Sequence, residues 1–205
     1  MVKLGFLATL VTLLLGVSYS LAGVIRSNDK DSSKSIGNYI YPKDIDMKNI
    51  TVPDGNCFKF LLYVKGYIWY KCTDGNWEVD EGRVLFYNDE NDISCDPSSA
   101  VASSYEVTGA TGVRSIIPEC DTSSAVLTNV YSTPSSNPEC DFPYGLEEAK
   151  DNAGDGAFKD ITFNVRVNTK GGVPPQDAQC GCDKYPEGYI YSTDFSAMNL
   201  FYHPS

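Results

Sequence analysis

The stretch Cys57 to Cys72, CFKFLLYVKGYIWYKC, decides the fold class. Phe58, Phe60, Leu62 and Val64 alternate with Lys59, Tyr63 and Lys65, which is the period of two of a β-strand with one buried face. Lys65-Gly66 reads as a two-residue turn, after which Tyr67-Ile68-Trp69-Tyr70 returns as a second strand. In that register Val64 faces Tyr67 and Leu62 faces Trp69, and Cys72 lies opposite Lys59. Cys57 is then only a diagonal neighbour of Cys72, at about 7–8 Å between Cα atoms, which is beyond ordinary disulfide reach. A turn slipped to Val64-Lys65 would bring the two together.

The same pattern continues outward. Strands are expected over residues 83–87, 105–108, 112–117, 125–131, 157–168 and 188–194, the last resuming near 199–202. Between Ser94 and Cys140 the chain is rich in serine, with prolines at 97, 118, 134 and 138, a composition of turns and loops. One short helix is expected near Tyr144 to Lys150. Many short strands joined by Gly- and Pro-bearing links predict an all-β sandwich or barrel, stabilised by disulfides, as a single domain over residues 53–205.

The N-terminal end points to a compartment. Met1 to Lys3 is followed by the apolar run LGFLATLVTLLLGV and by Ser20-Leu21-Ala22, so residues 1–22 read as a secretory signal cleaved after Ala22. The run is shorter than the roughly 20 apolar residues of a spanning helix. Residues 23–52 are polar and read as a loose arm carrying the N-glycosylation sequon Asn49-Ile50-Thr51. Removal of the leader takes away Lys3 and moves the net charge from −11 to −12. Charge of that sign repels nucleic acid and anionic membranes.

All seven cysteines, Cys57, Cys72, Cys95, Cys120, Cys140, Cys180 and Cys182, follow the leader. In an oxidising compartment they are candidates for bridges, with one left over. Zinc fits poorly, because there is no CxxC and His203 is the single histidine. No cofactor is expected.

A second stretch, FNVRVNTKGGVPPQDAQCGC from Phe163 to Cys182, shows a strand with Phe163, Val165 and Val167 on one face and Asn164, Arg166 and Asn168 on the other. A turn is expected over residues 168–172, and Pro174 and Pro175 end the ladder. Turn geometry explains every residue here but Arg166. If the polar face lines a groove or barrel interior, Arg166 is an anchor for an anionic or polar ligand. If it faces a neighbouring strand, it is a structural partner of an acidic or tyrosine side chain, and this is the expected role.

The run FKDITFNVRVNTKGGVPP, ending at Cys180, resembles the domain of unknown function 3455 family, secreted-type proteins of bacteria and fungi. The likeness lies at Arg166, Val167, Asn168, Thr169, Gly171, Gly172, Val173, Pro175 and Cys180. A second block, LLYVKGYIWYKC, resembles the family at Gly66, Tyr70 and Cys72. The two blocks cover about a third of the chain. GRVLFYNDENDISC and the closing YIYSTDFSAMNLFY resemble it too, whereas the block HYAGPTW of bacterial members is missing from the middle. The resemblance implies an all-β extracellular domain without an established activity, and a bridge from Cys72 to Cys180 or Cys182. Some fungal relatives carry a malate dehydrogenase label, but no GxGxxG motif follows a strand here.

Other candidate chemistry is thin. A Ser-His-Asp site would need His203 in the terminal tail. Asp74, Glu78, Asp80 and Glu81 near Trp77 are a possible carboxylate set for hydrolysis, and read better as solvated surface. Residues 88–96 and 151–160 are rich in Asp and Asn but match no calcium loop, and read as turns. Tyr63, Tyr70 and Trp77, in a chain that is 12% aromatic, are candidate stacking residues for sugars. The expected function is a secreted or cell-surface, non-enzymatic binding or structural module directed at glycan or cell-wall polymer. The alternative is a secreted hydrolase working through carboxylates.

Overall fold

Asp74-Gly75, and not Lys65-Gly66, makes the first turn. The computed structural model describes residues 35–93, 97–117, 119–174 and 179–205; the expected leader, the start of the arm and Cys95 lie outside the described residues. The expected hairpin is a single strand, β1 (Asn56–Thr73), of 18 residues. Asp74 and Gly75 both have positive φ, 50° and 76°, the backbone that the tight turn of a twisted hairpin requires. Gly66 serves close approach instead. A Cβ there would sit 2.0 Å from the Arg83 carbonyl oxygen of the next strand. The inward parity also runs unbroken through it, with Phe60, Leu62, Val64, Ile68, Tyr70 and Cys72 all buried.

Seven further strands follow: β2 (Asn76–Tyr87), β3 (Ala102–Val107), β4 (Ala110–Ser115), β5 (Ser124–Thr133), β6 (Tyr144–Ala153), β7 (Phe163–Gly171) and β8 (Ile190–Pro204). They close in chain order into an antiparallel barrel, β8 returning to β1. Of the two expected all-β architectures, the barrel is the one formed. The helix expected at residues 144–150 is instead β6, held between β5 and β7. Local helix preference in Leu-Glu-Glu-Ala-Lys yields to two ladders of backbone hydrogen bonds. β7 starts later than expected. Residues 157–162 form a connection whose Phe158 and Ile161 are buried in the barrel.

In an up-and-down barrel the connections alternate between two ends. The upper end carries the turns or loops at residues 74–75, 108–109, 134–143 and 172–189, and the lower end those at 88–101, 116–123 and 154–162. The lower half is filled by Phe60, Phe86, Phe158 and Phe201, whose rings meet at 5.1–6.4 Å between centroids. Such offset and edge contacts add to the burial of large apolar area. Ile36, Val101 and Ile161 complete this core.

The outside is apolar as well on one side. Leu61, Leu146, Val165, Val167 and Leu200 point away from the barrel axis and are covered by Ile45, Met47, Ile50 and Val52. Asn38 and Leu61 exchange backbone hydrogen bonds of 3.0 and 2.8 Å. Residues 36–52 are therefore a strap packed on the barrel, which amends the expectation of a loose arm for its described part. This strap turns β7 inside out relative to an ordinary half-buried strand. Its apolar face lies under the strap, and its polar face, Asn164 and Arg166, points into the barrel.

A disulfide joins Cys72, at the upper end of β1, to Cys180 in the β7–β8 loop, with Cα atoms 5.5 Å apart. It is one of the two partners that the family resemblance implied. Cys57 and Cys72 lie 15 residues apart on one extended strand, about 50 Å at 3.3 Å per residue, so neither register of the expected hairpin applies. Cys57, Cys120, Cys140 and Cys182 are free thiols, which corrects the expectation that bridges would use nearly all the cysteines.

Candidate functional site

Arg166 stands near the middle of β7, directly opposite Gly145 on β6 and Asn199 on β8. Gly145 makes room for it: a Cβ at that position would lie 2.8 Å from Arg166 Nη2. Nη1 donates to Glu147 Oε1 at 2.5 Å, and Nε donates to the Pro143 carbonyl at 3.4 Å. The guanidinium also lies over the Phe142 ring, 5.0 Å from its centroid. The second oxygen of Glu147 accepts from Asn164 Nδ2 at 2.8 Å. Arg166 is thus a charge-assisted structural partner, as expected, and it also lines the barrel interior, the circumstance that would make it a ligand anchor.

The cluster is not fully satisfied. Asn164 and Asn199 are buried, and the Oδ1 of each has no hydrogen-bond partner. No described residue accepts from Nη2 of Arg166. A buried acceptor left unmade costs about 1–3 kcal/mol, so the arrangement calls for a donor.

Beside these groups lies a cavity of about 150 Å³. Its walls are apolar, from Val64, Ile68, Val113, Leu127 and Phe195, while Arg166, Glu147 and Asn199 supply the polar side. It meets the surface through a seam in the barrel. β2 and β3 pair only at Leu85↔Ser103 and Phe86↔Ala102, so residues 76–84 of β2 have no strand ladder on that side. The Ser104 hydroxyl stands in for one rung by accepting from the Val84 N–H at 2.9 Å. Val79, Gly82 and Thr111 line the cavity where it opens, and all three are exposed.

Only Arg166 among the four candidate binding residues reaches this site. Tyr70 is in the core and donates to the Gly172 carbonyl at 2.5 Å. Burial pushes its phenol up to about 12, so it remains a donor across the physiological range. Tyr63 packs against the outer apolar cluster. Trp77 lies at the upper end, opposite Cys72, in contact with Tyr185, Tyr189 and Tyr191 at 5.6, 6.4 and 5.9 Å. The three rings occupy three separate places.

The other candidates scatter. Asp74, in the first turn, has its backbone N–H bound by Glu187 at 3.0 Å, Glu78 and Asp80 are exposed, and Glu81 pairs with Arg83. His203 Nδ1 is 3.8 Å from Asp160, which also holds Lys59. Asn88 receives the Gly37 N–H at 2.6 Å and Asp89 caps the 3₁₀ turn Glu90–Asp92, so both act in local structure. The sequon residue Asn49 is exposed on the strap. Glu147, Asn164 and Asn199 were not among the sequence candidates. Asn164 shares the polar face of Arg166 and was legible from that. Glu147 lay within the expected helix, and Asn199 at the start of a doubtful strand.

Fold and site together define a closed eight-stranded, up-and-down barrel with one packed half and one half hollow, polar on one side. No family model matches the chain, and neither a curated protein nor a solved structure matches it. Among the described residues, no helix is long and apolar enough to cross a membrane. The disulfide fits an oxidising environment.

Proposed function

We propose that the chain is a secreted, non-enzymatic binding module that takes a small ligand into the upper half of its barrel. Barrels of eight strands are wide enough to be filled by side chains or to hold one small molecule. The observation that carries this reading is a pair of buried, unmet acceptors, Asn199 Oδ1, which lines a largely apolar cavity, and Asn164 Oδ1, whose amide is held by the cavity-lining Glu147. Small-molecule sites have that character, with apolar walls and a few placed polar groups. The hydrolase alternative has less support. Glu147 is the one carboxylate among the cavity-lining residues and is already paired, whereas two-carboxylate hydrolysis needs a second at about 5–10 Å. Kinship with the domain of unknown function 3455 family belongs to the same proposal and rests on the motifs around Gly66–Cys72 and Arg166–Cys180.

Glycan or cell-wall contact is a second reading, supported by Trp77 and its half-exposed neighbours Tyr189 and Tyr191 at the upper end. A pull-down on wall polymers separates the two, since Trp77→Ala should weaken retention if the rings carry it. The cavity reading is tested by a thermal-shift screen of fragments against the wild type and Thr111→Trp, which blocks the mouth at an exposed position. Fragments should raise the melting temperature of the wild type only. Equal shifts in both proteins, or none in either, would refute the cavity reading.

A further inference from the structure

The geometry points to a neutral ligand of one ring bearing a hydroxyl group, a small phenol or cyclic alcohol, as the class this cavity takes; the inference rests on the cavity being the binding site. Three observations lead there. The first is charge. Arg166 is neutralised on contact by Glu147, so an anion reaching the guanidinium also meets a buried carboxylate, and a cation meets the guanidinium. Neither sign of charge gains, and a neutral molecule avoids both repulsions and the cost of stripping water from an ion.

The second is an unmet acceptor. Asn199 lines the cavity from β8 and its Oδ1 is buried without a partner, whereas the Arg166 guanidinium reaches the other way, over Gly145 of β6, and is held by Glu147 and Pro143. A hydroxyl group on the ligand meets the need by donating to Asn199 Oδ1. A ketone, an ether or a hydrocarbon has no donor to offer it.

The third is size and wall chemistry. A cavity of about 150 Å³ lined by aliphatic side chains and Phe195 is in the volume range that accepts a benzene-sized ring. Val79, Gly82 and Thr111, the exposed residues of its lining, mark the side from which such a ring would enter.

The test titrates phenol, benzene and benzoate separately into the wild-type chain at neutral pH, following cavity methyl resonances and calorimetry. Phenol should bind about tenfold tighter than benzene, the equivalent of one net hydrogen bond, with benzoate weakest. In Asn199→Leu, phenol should fall to the affinity of benzene while benzene keeps its own. The three-probe comparison on the wild type decides the matter even if that variant does not fold. Benzoate binding tightest would make Arg166 an anion anchor and overturn the hydroxyl class, leaving the cavity as the binding site. Phenol and benzene binding equally would overturn it too, because Asn199 Oδ1 would then recognise nothing. If none of the three binds up to its solubility limit, the binding function of the cavity falls with it.

Discussion

The two halves of the barrel are built from the same strands and differ in what the inward positions carry. In the lower half those positions are Phe60, Leu62, Phe86 and Phe201, with Phe158 inserted from below, and all five side chains are buried. Higher on the same strands the inward row passes through Gly66 and Gly82, and Gly145 faces Arg166 across β6 and β7. Side-chain volume is withdrawn where polar atoms are placed. The contrast teaches that the lower half holds the fold and that the upper half, with less packing, depends on pinning by Cys72–Cys180 and on the Arg166–Glu147 pair.

The largest effects should separate the halves most sharply. Phe201→Ala should cost about 3–5 kcal/mol in chemical denaturation, since it opens a void among rings that cannot collapse. Phe195→Ala, whose ring borders space already present, should lose little beyond its transfer energy, about 1.5–3 kcal/mol. Equal costs would break the comparison. Reduction of the disulfide, or Cys72→Ala with Cys180→Ala, should cost about 2–5 kcal/mol for a loop spanning 108 residues. Hydrogen exchange should then rise first near residues 74–80 and 181–190, and uniform loosening of both halves would count against the upper half as the pinned one.

Arg166→Lys should lower stability by about 1–2 kcal/mol, because an ammonium group cannot reproduce the planar contacts to Glu147, Pro143 and Phe142 together. An unchanged melting temperature would leave Arg166 with a ligand role alone. The smallest effect belongs to the lower rim. Burial raises the Asp160 carboxyl, but the hydrogen bond and charge of Lys59, with His203 nearby, outweigh it and hold the group below its ordinary value of 3.8. A depressed carboxylate stabilises the fold above its unfolded value and loses that contribution as pH falls through the folded one. Lys59→Met should therefore remove a small increment that is present above about pH 4 and fades below it, no more than about 1 kcal/mol for a partly exposed pair. A melting curve against pH that is identical in the variant would remove Lys59 from the account.

Much of the fold was legible. Alternation in Phe58–Val64 and Phe163–Val167 marked strands, and the all-β class follows from them. What misled was a glycine with two uses. Gly66 reads as a turn because glycine often is one, yet the inward parity continues through Ile68 and Tyr70, and Thr73-Asp74-Gly75-Asn76 was the stronger hairpin signal. The helix at residues 144–150 failed for a different reason: its charged pattern is local, while its pairing partners, β5 and β7, lie elsewhere in the chain. The site was half visible. Arg166 stood out because turn chemistry could not absorb it, but which side of β7 faced inward depended on the strap, and no periodicity within β7 reports what covers its apolar face.

The ladder between β1 and β8, from Asn56↔Pro204 to Lys71↔Ile190, has a consequence in time. It is the pairing of greatest sequence separation, and it is the one that turns an open sheet into a ring. Every earlier hairpin forms locally, but none closes the barrel until β8 has been made and has found β1 across the whole sheet. Pairings of such separation carry a large entropy of closure and slow folding. Until that step, β1 presents an exposed edge of 18 residues with Leu61, Leu62 and Val64 beside it. An emerging chain is thus most prone to association with other chains in the interval between synthesis of β7 and docking of β8. The barrel's last strand is its safeguard against aggregation as well as its seal.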